Sequence, residues 1–374
     1  MARFDYSPEL PIPAPAVGLR QLCCHTLRLR DETESNYNAS HFVSLTMRLR
    51  HRLLRILLIL LVFPAMLAAV AGWLVAPGFL HPILRPLTSA DVKEADNTFS
   101  FVGAHREDFE VRVPEGVVLR GWKVRPQNPN GSWVLVFHGV ADNRMGVIEH
   151  ACMLLRAGYS VVMMDARAHG ASGGSLATYG WLERNDTRAI VDALLLSEHV
   201  GAGLAPPAPA TPPFHLFALG ESMGAGIALQ SAAADPRIEA VVAEASFATL
   251  REASYDYAGL RRSPLLGKTL FAPFSWTLLY RGEKLAGLPV AEVSPMKAVA
   301  SRAFPVLLIC DENDEALPCR HTQMIYDAAI GPKQMWVVPG AFHTAALGYQ
   351  PAEFRRRVLA FFAASSASRY RKNS

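Results

Sequence analysis

From about residue 100 onward, short apolar runs suited to strands alternate with longer stretches suited to helices, and this alternation limits the possible folds more than any other feature. Strand-like runs occupy residues 109–113, 117–124, 133–137, 160–164, 214–219, 240–243, 305–310 and 335–338. Several are continuously apolar, as strands buried on both faces must be. Helical stretches at 146–157, 181–199, 223–234, 321–329 and 352–364 lie between or after them, at the spacing of crossover connections. The first two runs are close enough to pair as a hairpin. The pattern predicts an α/β protein with a mostly parallel, eight-stranded sheet and helices on both faces. Residues 201–213, rich in Ala, Pro and Gly, read as a loop and not a domain boundary, because the alternation resumes unchanged beyond them.

Composition closes off other classes. A chain of 374 residues can bury a core without disulfide staples. With 19% charged residues and 18 Phe, 10 Tyr and 6 Trp it is too apolar to be disordered, and a net charge of +4 is too weak for a nucleic-acid surface. Cysteines at 23, 24, 152, 310 and 319 have no metal-ligand spacing, so neither a metal nor a cofactor is expected.

The basic excess is local. Arg48, Arg50, Arg52 and Arg55 account for the whole difference between 37 basic and 33 acidic residues. Directly after them, 25 residues from Ile56 to Leu80 carry no charge. As a helix they would extend roughly 37 Å at ~1.5 Å per residue, enough for a ~30 Å hydrocarbon core. The reading is a single-pass membrane anchor over 47–80, with Trp73 and Phe79 toward the far interface and lipid as its partner. The positive flank belongs on the cytoplasmic side, which places everything after residue 80 across the membrane. A rival reading is a cleaved signal peptide, since Ala69-Val70-Ala71 has the small-residue cleavage pattern and would leave a new terminus at Gly72. Retention is favoured because the apolar run continues through Trp73, Leu74, Val75 and Leu80. Residues 1–46 show no clear period and are expected to be an unstructured tail. Met47 opens a more economical start, MRLRHRLLR, so the preceding residues could be an over-extended reading frame. Residues 81–104 read as a linker, 105–365 as the main folded domain and 366–374 as a basic tail.

The chemistry is carried first by Gly220-Glu221-Ser222-Met223-Gly224. A serine on a tight turn from strand to helix needs small residues two before and two after it, because the backbones crowd there. A second formal match, Gly170-Ala171-Ser172-Gly173-Gly174, lies in a polar loop well past its strand, whereas Ser222 directly follows an apolar run and opens a small-residue helix. Ser222 is therefore the predicted nucleophile and Ser172 a loop residue. A hydroxyl needs an imidazole to take its proton and a carboxylate to orient that imidazole. On a strand–elbow–helix framework the order is serine, acid, histidine, which leaves His321 and His343. His343, in a loop just after a strand, is favoured over His321, which is expected on a helix surface. Asp311, Glu312, Asp314 and Glu315 all crowd the end of the preceding strand, and the residues alone do not choose among them.

Residues 105 to 365 resemble the α/β-hydrolase superfamily, in its esterase and acylglycerol-lipase-like branch. The run Asp314-Glu315-Ala316-Leu317-Pro318 is similar to that superfamily's acid loop, which implies Asp314 as the acid, although Asp311 stands where relatives usually have glycine. His138-Gly139-Val140 resembles its oxyanion turn, implying backbone amides of Val140 and Met223 as oxyanion donors and a merely structural His138. Asp165 through Gly173 resembles the loop after the fourth strand, with Ala168 in place of glycine, and Gly180, Glu183 and Asp186 match a helix start that serves capping and packing. The stretch 250–298 sits where relatives carry a lid, and its Tyr255, Tyr257, Phe271, Phe274, Trp276 and Tyr280 suit an ester with a hydrocarbon chain. The resemblance thus implies a serine hydrolase acting on a small-molecule or lipid ester. An aminopeptidase or thioesterase would use the same three residues, and a non-catalytic tethered binding module is the reading from another class. In an oxidising compartment, Cys310 and Cys319, nine positions apart across the acid loop, are placed to close a small ring around Asp314.

Overall fold

The computed structural model describes residues 18–201, 214–259, 261 and 263–373. Residues 202–213 of the loop predicted at 201–213, and the first 17 residues of the predicted tail, lie outside that set. The chain divides into two units, residues 1–64 and 65–374. Helix α1 (Gly18–Leu80) accounts for all described residues of the first unit, and it is regular from residue 18 where the sequence predicted no regular structure before 47. Within it, His41–Leu80 is the one helix among the described residues long and apolar enough to cross a membrane, with a mean hydropathy of 2.7 in its most apolar window. The leucines, isoleucines and valines from Ile56 to Val62 are all exposed.

The second unit is built on eight strands: β1 (Ala104–Arg112), β2 (Val118–Pro126), β3 (Ser132–Phe137), β4 (Ser160–Met164), β5 (His215–Glu221), β6 (Ala240–Glu244), β7 (Val306–Asp311) and β8 (Lys333–Val338). Their order is β1-β2-β4-β3-β5-β6-β7-β8, with β2 antiparallel to both of its neighbours and every later pairing parallel. All eight predicted strands are present, and the first two do form a hairpin.

Helices α2 (Ser89–Phe101), α3 (Ile148–Arg156) and α12 (Pro351–Asn373) cover one face of the sheet. On the other lie α4 (Glu183–Gly201), α5 (Met223–Ala234), α9 (Pro295–Ser301) and α10 (Arg320–Ala328). Residues 81–104, predicted to be a linker, are corrected by α2. Its N-terminus carries a capping box between Thr88 and Asp91, and its Ala95 and Phe99, one turn apart, are fully buried with the Phe99 ring edge-on to Trp122. Likewise α12 runs on through the predicted basic tail to Asn373.

Helices α6 (Leu250–Ala258), α7 (Pro264–Lys268) and α8 (Ala272–Ala286) form the insertion between β6 and β7. They enclose a third apolar cluster, in which Phe247, Leu250 and Leu279 meet Leu80 from the end of α1 and Met223 from the start of α5. Helix α11 (Ala346–Tyr349) is a single turn after β8.

Candidate active site

The chain goes from β3 outward to β4 and then crosses back to β5, so the strand order reverses between β3 and β5. In open parallel sheets, the crevice beyond the strand ends at such a reversal is where ligands bind. Ser222 stands there, between β5 and α5, at φ 52° and ψ −118°, a conformation that side-chain-bearing residues rarely adopt. The turn is held because Ser222 donates its amide to the Glu244 carbonyl at 2.9 Å and because its glycines are obligatory. A Cβ on Gly220 would run into the Gly224 carbonyl, and one on Gly224 into the Phe137 carbonyl. The local sequence thus dictates a sharp elbow that presents the hydroxyl above the sheet.

The Ser222 hydroxyl lies 2.9 Å from His343 Nε2, and His343 Nδ1 lies 2.6 Å from Asp314 Oδ2. Asp314 Oδ1 accepts the amides of Ala316 and Leu317, both at 2.8 Å, so the carboxylate is fixed from two sides by its own loop. Asp314 is buried, while the His343 side chain is 31% exposed. Cys310 and Cys319 are joined, with Cα atoms 5.4 Å apart, and close the ring around Asp314 that the spacing suggested.

Val140, in the turn after β3, and Met223, the first residue of α5, line the same cavity as Ser222. Among the described residues neither amide is taken by a backbone carbonyl. His138 in that turn is spent on structure: Nδ1 donates to the Gly139 carbonyl and Nε2 accepts the Ala166 amide. Burial, aided by neighbouring His169, pushes its pKa down to about 4, so it is neutral at physiological pH.

Other candidates occupy supporting positions. Ser172 accepts the Arg120 amide and donates to the Asp165 carbonyl, tying β2 to the loop after β4. Asp165 receives Arg144 bidentately, and Arg167 is bound by Asp186. Ala168 occupies the left-handed region at φ 56°, which explains the glycine of the related pattern. Glu183 caps the amides of Thr178 and Gly180. Asp311 is buried at the end of β7, where its carboxylate accepts the Thr344 amide. Burial, with Glu244 and Asp314 adding to it, raises its pKa to about 8.

His321 corrects the sequence reading. It is fully buried, not on a helix surface: Nε2 lies 2.5 Å from Asp256 and Nδ1 accepts the Ala248 amide, binding α10 to α6 and the residues just before it. Its partner lies 65 residues away in the lid, out of reach of any local pattern.

A cavity of about 260 Å³ adjoins Ser222. Of the six lid aromatics singled out from sequence, Tyr257 and Phe274 line it, while Trp276 and Tyr280 face outward. Leu250, Ala253 and Ser254 of α6 line it too, beside Ser222, Met223 and Val140, and the other wall residues were missed in sequence: Val75 and Phe79 from α1, Tyr179, Phe247, Leu278 and Leu317. Among the described residues, no acidic or basic one lines the cavity. Its only signal in sequence was the apolar character of segments hundreds of positions apart.

Sheet order, elbow and helical insertion define an α/β-hydrolase fold. The comparisons are specific about which members of that fold the chain is similar to. Residues 128–284 match the family described as serine aminopeptidase, S33. The uncharacterized protein YqkD of Bacillus subtilis is 28% identical over 318 residues, covering 81% of this chain and 96% of that one. Among solved structures, the esterase Pf2001 of Pyrococcus furiosus superposes with a TM-score of 0.55 at 22% identity, covering 75% of this chain and 97% of the esterase. The acylaminoacyl peptidase of Pyrococcus horikoshii gives 0.51 at 16% identity over 70% of this chain and 41% of that one.

Proposed function

We propose that the protein is a membrane-anchored serine hydrolase that cleaves carboxylic esters through an acyl-enzyme. The observation that carries this reading is the single chain of hydrogen bonds from Ser222 through His343 to Asp314. His343 Nε2 takes the hydroxyl proton as Ser222 Oγ attacks the ester carbonyl, and Asp314 holds Nδ1–H and balances the imidazolium that forms. The amides of Val140 and Met223 receive the developing oxyanion, Met223 with the added field of the α5 N-terminus. Collapse expels the alcohol, which leaves with the proton from His343. Water then repeats the sequence on the acyl-enzyme, releasing the carboxylic acid and restoring Ser222.

The cavity favours an ester over an amino-terminal peptide. An aminopeptidase has to hold the α-ammonium of its substrate, and burying an unpaired ammonium against apolar side chains is strongly unfavourable. The S33 likeness keeps the amide reading in view, so the test is a panel of nitrophenyl esters of rising chain length beside aminoacyl and peptidyl anilides. Turnover of esters that is lost in Ser222→Ala is expected; preferential turnover of aminoacyl anilides would replace the esterase reading, and binding without turnover would favour the tethered module.

The same reading places the catalytic unit outside the cytoplasm, from the arginines before α1's uncharged run and from the Cys310–Cys319 bond, which persists best in an oxidising compartment. Alkaline phosphatase fused after residue 100 should be active; an inactive fusion reverses the orientation. Carbonate-washed membranes should retain the protein, whereas a soluble form beginning at Gly72 would show cleavage.

A further inference from the structure

We infer that the cavity beside Ser222 takes the acyl chain of a lipid ester directly from the bilayer, with the last turns of α1 serving as one of its walls. The inference rests on the reading of Ser222 as nucleophile and specifies the substrate that reading leaves open.

A helix that only tethers a domain to a membrane has no need to be fixed to it. Here the end of α1, within residues 65–80, is clamped at successive turns. The Thr277 hydroxyl donates to the Ala69 carbonyl at 2.7 Å, Arg281 donates to the Trp73 carbonyl, and Tyr179 donates to the Phe79 carbonyl at 2.7 Å. The Ala177 amide donates to the Leu80 carbonyl at 2.9 Å. At Gly72 the approach is so close that a Cβ would collide with the Phe274 carbonyl and Thr277 Oγ1. Phe79 stacks on Tyr179 with ring centroids 4.5 Å apart.

The clamped segment is also the cavity wall. Val75 and Phe79 line it together with Phe274 and Leu278 of α8 and with Ser222 and Met223. Val75 is half exposed, so it borders the cavity and the outer surface at once. Trp73, two residues earlier, lies under the Arg281 guanidinium at 4.7 Å, a ring-and-cation pair suited to the zone where hydrocarbon gives way to headgroups. Phe79 follows six residues later, roughly 9 Å further along a helix rising ~1.5 Å per residue. The cavity therefore reaches from interface depth to the serine, and a chain lying against α1 in the membrane can slide into it without crossing water.

The neighbouring lid surface fits the same placement. Leu265, Leu266, Leu270, Trp276 and Tyr280 on and around α7 and α8 are exposed, with Lys284 close by on α8. An apolar surface with basic residues at its margin is costly in water and suited to the headgroup boundary.

The test uses the full chain in dioleoylphosphatidylcholine nanodiscs with two fluorophosphonates, one carrying an ethyl group and one a hexadecyl chain with a mid-chain diazirine. In each, Ser222 Oγ forms the new bond to phosphorus, its proton passes to His343 and fluoride leaves. Both reagents should modify Ser222, and irradiation should cross-link the hexadecyl chain to the peptide containing Val75 and Phe79. Val75→Trp should slow hexadecyl labelling roughly 10-fold relative to ethyl labelling, the scale on which apolar pockets discriminate chain fit. If Ser222 is modified but cross-links fall only on peptides away from α1, and the variant slows both reagents equally, the inference fails and the nucleophile reading stands. If Ser222 is not modified at all, that reading fails and takes the inference with it. Should the variant not fold, the cross-link in the unaltered chain decides.

Discussion

Two carboxylate–histidine pairs are reached through the loop after β7, His343 with Asp314 at 2.6 Å and His321 with Asp256 at 2.5 Å. By distance they are equivalent. They differ in what the second ring nitrogen does. In His343 it faces a serine hydroxyl and the ring is partly exposed, whereas in His321 it accepts the Ala248 amide and the ring is fully buried. An imidazole whose two nitrogens are both committed to structure can move no proton to or from a substrate. Burial would raise the Asp256 carboxyl, but hydrogen bonds from His321 and Arg320 outweigh that and hold the carboxyl below its ordinary range, so the carboxylate, ion-paired to Arg320, clasps α6 to α10.

The comparison is broken most severely at the nucleophile. Ser222→Ala should abolish turnover and Ser172→Ala should leave most of it, because Ser172 only bridges backbone groups of β2 and β4's loop. Equal losses would mean that the elbow is not the site. Next in size, Asp314→Asn should lower kcat on the order of 10⁴-fold by favouring the wrong imidazole tautomer. Asp256→Asn, the matching change in the other pair, should cost little in kcat at a temperature where the variant is folded. Its cost should appear in urea denaturation, as about 3 kcal/mol for breaking a buried ionic contact. If Asp256→Asn matched Asp314→Asn in kcat, the two pairs would not be divided as described.

A smaller effect sharpens the boundary of the site. Asp311 and Glu221 both keep carboxyls whose pKa burial raises, to about 8 and about 7. Each holds a proton in the folded state that an unfolded carboxyl near pH ~4 has released. The stability they contribute is complete below about pH 4 and is lost as pH rises through 7 to 8. Asp311→Asn should therefore flatten the fall of Tm between pH 5 and 8, read by scanning fluorimetry, and reduce turnover far less than Asp314→Asn. An unchanged slope would show that Asp311 does not carry that proton.

The two regions also differ in how far sequence revealed them. Strands β3 to β7 were legible because burial on both faces writes a continuous apolar run, and the Ser222 elbow because its glycines are required by contacts between adjacent backbones. Helix α2 was passed over although Thr88 and Asp91 spell its capping box, since its apolar face reduces to two deeply buried residues, Ala95 and Phe99. The lid, the clasp through His321 and the cavity wall on α1 depend on pairings such as Thr277 with Ala69, 208 positions apart, for which a single sequence holds no local signal. The aromatic and apolar composition of residues 250–298 did not separate Tyr257 and Phe274, which line the cavity, from Trp276 and Tyr280, which do not.

The central claim is that one serine, activated by one of the two histidines, does the chemistry. It is tested most directly by treating the protein with a fluorophosphonate and locating the adduct by peptide mass spectrometry, in the unaltered chain and in His343→Ala and His321→Asn. The account predicts a single adduct on Ser222, formed at least 100-fold more slowly in His343→Ala, in keeping with the typical contribution of a general base, and at nearly the original rate in folded His321→Asn. An adduct on Ser172, or a rate that depends on His321 and not on His343, would contradict it.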